Sequence, residues 1–132
     1  MKGKQNEVVK KGHLIVVDFL QRGEWFITAR LHRTKSSYSI ANANNSVRKT
    51  VRIRTLSKRN PVPMVHTLLN YDEDLLLICR NLDYEPEFYI IPMEEAIKKT
   101  SRKIKNGVES FWIEPPDYKD YQNNWNALDG RN

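Results

Sequence analysis

The sequence predicts an α/β fold in which helices flank a mixed central sheet of about five strands. An amphipathic helical pattern over 8–20 comes first, and three strand-like segments joined by turns follow it, as in an antiparallel meander. A nearly continuous apolar run at 75–79 then indicates a strand that is covered on both of its faces. Helices must lie against the sheet to provide that cover.

Each element of the meander has its own local signal. The opening helix carries Val9, Val16 and Leu20 at helical spacing and ends at Gly23. The turn at 42–46 consists of Asn, Ala and Ser, and Asn tolerates a left-handed backbone. The strands are predicted at about 25–31, 38–41, 47–55, 74–82 and 88–92, with a further short apolar element at 110–113.

Two more helices are predicted in the second half of the chain. The segment 93–104 has acidic residues early and basic residues late, which suits the helix dipole. The segment 115–128 begins with two prolines and spaces its apolar residues as an amphipathic helix does; they are Tyr118, Tyr121, Trp125 and Leu128. The proline-containing stretch 57–64 is predicted as a connector.

Length and composition favour a single cytoplasmic domain, 1–132, with its core at about 7–128. The chain has 132 residues, and none of its apolar runs approaches the roughly 18 residues that cross a bilayer. Its first residues are basic but lack the apolar segment of a signal peptide. The single cysteine, Cys79, lies in an apolar run, so neither a disulfide framework nor a thiolate metal cluster is expected.

The net charge of +6 is distributed unevenly along the chain. Residues 1–60 contain 14 Lys and Arg against three acidic residues, and the whole stretch between Trp25 and Tyr71 contains no Asp or Glu. Residues 61–132 contain 8 basic and 13 acidic residues. A basic half of this kind favours a polyanionic partner, although the acidic half could instead neutralise it in the folded chain.

The densest basic segment is 48–59, in which six of twelve residues are Lys or Arg. Its strand period places Thr50, Arg52 and Arg54 on one side and Val51 and Ile53 on the other. Arginine binds phosphate bidentately, and each phosphate contact releases counterions. The predicted nucleic-acid-binding residues are Arg33, Lys35, Arg48, Lys49, Arg52, Arg54, Lys58 and Arg59.

Other chemistries have weaker signals. His13, His32 and His66 are widely separated, without the spacing of a zinc site. Cys79 is expected to be an inert core thiol. The acidic run 72–74 is interpreted as a solvated entry to the following strand.

Four segments in order resemble the PD-(D/E)XK, or restriction-endonuclease-like, nuclease superfamily over roughly 7–128. They are "KKGHLIVVDFLQRGEWFITA", "YSIANANNSVRKTVRIRT", "DLLLICRNLDYEPEFYIIPMEEA" and "YQNNWNAL". They resemble, respectively, the opening helix and first strand, the catalytic hairpin, the later strand pair with the entry to a helix, and the closing helix. The resemblance implies a small prokaryotic or phage nuclease homologue, in a phage, plasmid or defence setting.

The catalytic residues of that superfamily do not carry over. Its hairpin aspartate falls on Ser39, its Gln/Glu on Arg52 and its lysine on Arg54. Mg²⁺ requires oxygen ligands, usually carboxylates, and this hairpin has none to offer. We therefore expect a degenerate active site with no catalytic residues, no metal and no cofactor. The expected function is non-catalytic nucleic-acid binding, with DNA favoured over RNA.

Two alternatives remain open at this point. In the first, the protein is a nuclease with a relocated Mg²⁺ site that uses Glu7 or Asp18 together with Asp72 or Asp74. In the second, it is a protein–protein adaptor or a homodimer, in which the basic half of one copy meets the acidic half of another.

Overall fold

The computed structural model describes residues 2–32, 36–57, 62–64 and 71–129. The helices are α1 (Lys2–Arg22), α2 (Met93–Lys98), α3 (Pro115–Tyr118) and α4 (Asn126–Asp129), with a 3-10 turn at Lys119–Tyr121. The strands are β1 (Trp25–Arg30), β2 (Ser37–Asn42), β3 (Arg48–Thr55), β4 (Val62–Met64), β5 (Leu75–Arg80), β6 (Glu87–Pro92), β7 (Ser101–Lys105) and β8 (Val108–Ile113).

The main sheet has five strands in the order β1-β2-β3-β5-β6. The first three form the expected antiparallel meander, β5 then runs parallel to β3, and β6 runs antiparallel to β5. The prediction of a mixed five-stranded sheet flanked by helices is therefore confirmed. A second sheet, which was not predicted, has the order β4-β8-β7.

Helix α1 covers one side of the main sheet, which we call the α1 side. The helix buries Val16, Phe19 and Leu20 in a core with residues of the sheet such as Ile40 and Val51. On the opposite side, Leu76, Ile78 and Ile91 of β5 and β6 pack in a second core with residues from α2, β8 and α3. Strand β5 is buried on both sides, as its apolar run predicts.

The predicted helix over 93–104 is wrong in its second half. Helix α2 ends at Lys98, and residues 101–105 instead form β7, which pairs with β8. The two strands are joined by Asn106 and Gly107, whose φ angles of 54° and 78° are those of a tight hairpin turn. The helical pattern is weak because its last apolar residue, Ile104, is exposed and adds no buried area to a helix. Hydrogen bonding to β8 therefore decides the structure of this stretch.

The predicted C-terminal helix over 115–128 is also wrong as one continuous element. The chain forms α3, the 3-10 turn and α4, with a break at 122–125. At this break Asn123 has a φ of 53° and its backbone N–H donates to the Phe88 carbonyl. Leu128 and Tyr118 are nevertheless buried, each in a different core.

Within the part of the chain that is described, no helix has both the length and the apolar character needed to cross a membrane. Cytoplasmic location and a single domain stay predictions.

Candidate nucleic-acid interface

Four of the predicted contact residues lie on β3, and the structure places them in different environments. Arg33, Lys35, Lys58 and Arg59 lie outside the described residues. Along β3, Arg48 is exposed, Lys49 and Arg54 are half-buried, and Arg52 is buried. The predicted alternation is correct, because Val51 and Ile53 face α1 while Arg52 faces away from it.

Arg52 is inside the protein rather than on an exposed strand face. Only 3% of the residue is accessible, and its Nε donates to Glu73 Oε2 at 2.7 Å. The guanidinium also lies over the ring of Tyr71, with 4.7 Å from its central carbon to the ring centroid. For Arg52 the structure shows the alternative that the sequence left open, in which a carboxylate of the acidic half, Glu73 just before β5, neutralises the guanidinium.

Glu73 in turn departs from its interpretation as part of a solvated acidic run. It is 4% accessible, whereas Asp72 and Asp74 on either side are exposed. Burial alone would raise the pKa of Glu73, but the Ser37 hydroxyl and the Arg52 guanidinium outweigh it and hold the pKa below its ordinary value. The carboxylate is therefore ionised at neutral pH and forms a buried ion pair.

The pairing register identifies the residue opposite Arg52. Ser37 of β2 pairs with Arg52, while Ser39, the residue matched to the superfamily's aspartate, pairs with Thr50. Since paired residues of adjacent strands point to the same side, Ser37 lies on the side of the sheet that holds the ion pair, close enough for its hydroxyl to affect the pKa of Glu73. Sequence reasoning missed Ser37, Tyr71 and Glu73; the only available signal was the acidic run that contains Glu73.

Arg54 extends this cluster along the same side of β3. Its Nη2 donates to the Tyr71 hydroxyl at 2.6 Å, and its guanidinium is partly accessible. The cluster of Ser37, Arg52, Arg54, Tyr71 and Glu73 thus contains two guanidinium groups and one carboxylate. We call these five residues the arginine cluster.

Several buried atoms of the arginine cluster have no hydrogen-bond partner among the described residues. They are Ser37 Oγ, Arg52 Nη2, Arg54 Nε and Glu73 Oε1. Buried polar atoms are nearly always hydrogen-bonded in proteins, so we expect these two donors, one acceptor and one hydroxyl to be paired by groups outside the described residues, such as water.

Two of the four carboxylates proposed for a relocated metal site have other partners, and a third, Asp72, is exposed. Asp74 Oδ2 accepts from the Thr50 backbone N–H at 2.9 Å and from its hydroxyl at 3.1 Å. Asp18 pairs with Arg22 at 2.7 Å on the surface of α1. The side chain of Glu7 lies outside the described residues. Among the residues that the structure describes, no three His, Cys, Asp or Glu side chains form a group that could hold a metal ion.

The arginine cluster also does not fit Mg²⁺. Its single carboxylate is already neutralised by Arg52, and the neighbouring positions are occupied by cations and a hydroxyl. A divalent cation would have to displace a buried guanidinium to reach Glu73. No catalytic step through a metal is derived for this site.

The tip of the β2–β3 hairpin is ordered by asparagine side chains. The Val47 backbone N–H donates to Asn42 Oδ1 at 3.0 Å, and the Asn42 amide donates to Ser46 Oγ at 2.9 Å. Asn45 has a φ of 59°, as expected for the left-handed residue of this turn. Its Oδ1 accepts from Arg48 Nε at 3.2 Å, so this exposed guanidinium is held in place by the turn.

Four of the five cations of β1 and β3 have no carboxylate partner among the described residues. One of them, Arg54, donates to the Tyr71 hydroxyl instead. The other three, Arg30, Arg48 and Lys49, form no ion pair within the described ranges, whereas elsewhere cations such as Lys11 and Arg102 do. The cause is the acid-free sequence between Trp25 and Tyr71. Within the described part of the chain, the carboxylates of the second half therefore pair with Arg52 but not with these three residues.

An exposed aromatic side chain lies beside this basic surface. Phe26 pairs with Ala41, and Ala41 pairs with Arg48, so the three residues form a row on the same side of three adjacent strands. Phe26 is 41% accessible and Arg48 is exposed. With strands about 4.8 Å apart, roughly 10 Å separate the two outer residues of the row. Arg30 and Lys49 pair with Tyr38 and Ile40 of the α1 core, so they lie on the other side of the sheet, the α1 side. We call Phe26, Arg30, Arg48 and Lys49, which together cover both sides of this hairpin, the hairpin surface.

Comparison with protein-family models, with curated proteins and with solved structures gives no match.

Proposed function

We propose that the protein is a non-catalytic nucleic-acid-binding domain on a restriction-endonuclease-like scaffold. The carrying observation is the hairpin surface, where three cations have no carboxylate partner among the described residues and Phe26 is exposed on the same side of the sheet as Arg48. Unpaired cations on one hairpin repel one another, and phosphate groups relieve that repulsion while releasing counterions. An exposed ring next to them offers a surface on which a base can stack.

The architecture supports the scaffold part of the proposal. A helix, a three-stranded meander, a parallel fourth strand and an antiparallel fifth strand follow one another in the order that the resemblance implies. The superfamily's catalytic positions fall on Ser39, Arg52 and Arg54, and Arg52 is engaged in a buried ion pair. A protein with these residues can bind a phosphodiester backbone without the ligands that cleave it.

We assign the predicted contacts to three roles. Arg48 and Lys49 are proposed as direct phosphate contacts, together with Arg33, Lys35, Lys58 and Arg59, which lie outside the described residues. Arg54 is proposed as an inner contact, because the residue is half-buried and has no carboxylate partner among the described residues. Arg52 is instead assigned to folding, since its guanidinium binds Glu73.

The test is a salt titration of binding to duplex and to single-stranded DNA, followed by fluorescence anisotropy. The double variant R48A/K49A should bind more weakly and should lower the slope of log K against log salt by about 0.9 per lost duplex phosphate contact. The variant K98A/K99A removes the same charge from α2 and is the matched control. Absence of binding at about 50 mM salt, or equal losses in the two variants, would refute the proposal.

Phe26→Ala separates the aromatic contribution from the ionic one. Stacking on an aromatic ring contributes roughly 1–3 kcal/mol per base for single strands, and paired bases are not available for it. The variant should therefore weaken single-stranded binding more than duplex binding, with an unchanged salt slope. An equal effect on both ligands would remove Phe26 from the interface.

A further inference from the structure

We propose that α1 forms a homodimer interface in which the exposed ridge of Lys10, Leu14 and Asp18 packs antiparallel against the same ridge of a second copy. The three residues are spaced four apart, so their side chains line up on one face of the helix. This inference goes beyond nucleic-acid binding and does not depend on it.

The first support for the proposal is the exposure of Leu14. It is 70% accessible although it lies on a long, well-packed helix, and its neighbours Val16, Phe19 and Leu20 are buried. A single exposed leucine is ordinary on a protein surface. Leu14 differs from such a residue because Lys10 and Asp18 flank it on the same ridge.

The charges on either side of Leu14 are self-complementary. Lys10, one turn before it, is exposed and has no ion-pair partner among the described residues. Asp18, one turn after it, is 61% accessible in its side chain and pairs only with Arg22 of the same helix. In a two-fold dimer with Leu14 at the axis, Lys10 of each copy faces Asp18 of the other. The Asp18 carboxylate can accept from both cations, because it has two oxygens.

The surface next to the ridge offers apolar area for the second helix. A groove of about 510 Å³ lies between α1 and the start of β6, lined by Leu14, Phe19 and Phe88 among others. The rings of Phe19 and Phe88 stack at 3.9 Å between centroids. When ridges of residues spaced four apart pack alongside each other, two helices cross at about 50°. With Leu14 at the two-fold axis, the flank of the second helix can cover part of this groove.

A parallel arrangement is disfavoured by the same charges. Parallel packing in register would place Lys10 opposite Lys10 and Asp18 opposite Asp18, and like charges across an interface are repulsive. The order Lys10, Leu14, Asp18 therefore favours an antiparallel second copy on this surface.

The oligomeric state of the purified protein tests the proposal without nucleic acid. Sedimentation equilibrium from about 1 to 100 μM, a range suited to a modest interface, should show a monomer–dimer equilibrium at low salt. Leu14→Glu places two carboxylates together at the axis and should weaken dimerisation at least tenfold. Ile104→Glu changes an equally exposed apolar residue on β7 and is the matched control, expected to dimerise as the wild type does.

A charge swap tests the orientation. Lys10→Glu and Asp18→Lys should each weaken the dimer, and the double variant K10E/D18K should recover it, because the opposite charges again face each other. All of these residues are exposed, so thermal unfolding should confirm that each variant is folded. A wild type that is monomeric throughout, a dimer that survives L14E, or single charge variants that match the wild type would overturn the proposal.

Discussion

Glu73 is the residue on which the arginine cluster depends. Replacing one partner of a buried ion pair leaves the other charge buried and unpaired, which costs about 3–5 kcal/mol. We therefore expect Glu73→Gln to lower the free energy of unfolding by that amount in urea denaturation at neutral pH. Replacing both partners, as in R52M/E73L, should cost less than the single change, because no unpaired charge remains. A single variant as stable as the wild type would contradict the ion pair.

The effect of Glu73→Gln should also depend on pH. The pKa of Glu73 is lower in the folded chain than its ordinary value of 4.5, so its stabilisation is fully present above that value. It is lost as the pH falls through the lower, folded value, where the carboxylate takes up a proton. The difference in stability between wild type and variant should therefore shrink in acid, and a difference that grows in acid would contradict the assignment.

Cys79 provides an independent probe of the core. The residue is fully buried in β5, and burial raises the pKa of its thiol to about 12. Because the thiolate is the reactive form, a disulfide reagent at pH 8 should react with Cys79 only when the chain opens. The rate should rise sharply at the urea midpoint, and rapid reaction in the native protein would contradict this burial. The structure buries Cys79 as the sequence predicted, because a cysteine among leucines can be recognised as a core residue from sequence alone. The low reactivity of its thiol stays a prediction.

At the scale of elements, helix α1 approaches β3 closely at Gly12. A Cβ atom on Gly12 would lie 2.4 Å from Thr55 Cγ2 and 2.6 Å from its Cβ, so the helix would have to shift. Gly12→Ala should therefore destabilise the protein by about 1–3 kcal/mol, although alanine favours a free helix by roughly 1 kcal/mol. Gln21→Ala, at an exposed position of the same helix, is the control. A stabilised G12A variant would show that α1 does not pack this closely.

The elements that were predicted correctly have signals within their own residues. The apolar spacing of α1, the asparagine turn at 42–46 and the apolar run of β5 each survive in the fold. The failures are segments whose structure depends on distant partners. Residues 101–105 pair with β8, and the Asn106–Gly107 turn was the local signal that could have indicated it. The break in the C-terminal segment depends on a hydrogen bond from Asn123 to Phe88, which no local pattern reveals.

The arginine cluster illustrates the same limit for the whole molecule. The strand period assigned Arg52 and Arg54 to the side of β3 that faces away from α1. It could not show that Glu73, which is 21 residues from Arg52 in sequence, covers one of them. The acid-free half of the chain was visible in the sequence, but which of its cations stay unpaired depends on the packing of β5 beside β3. Charge composition therefore indicated a basic surface. The tertiary structure was needed to show that Arg30, Arg48 and Lys49 lack a carboxylate partner among the described residues, whereas Arg52 has one.

Binding of nucleic acid by the hairpin surface should stabilise the whole chain. A ligand that binds only the folded state at about 100 times its Kd adds about 2.7 kcal/mol. For a domain of this size each kcal/mol raises Tm by roughly 3–6 °C, so saturating duplex DNA at low salt should raise Tm by roughly 10 °C. Because the contacts are ionic, the shift should disappear at about 0.5 M salt, and R48A/K49A should show a smaller shift than K98A/K99A. A shift that persists at high salt would indicate apolar rather than phosphate contacts, and the absence of any shift at low salt would contradict binding to the folded state.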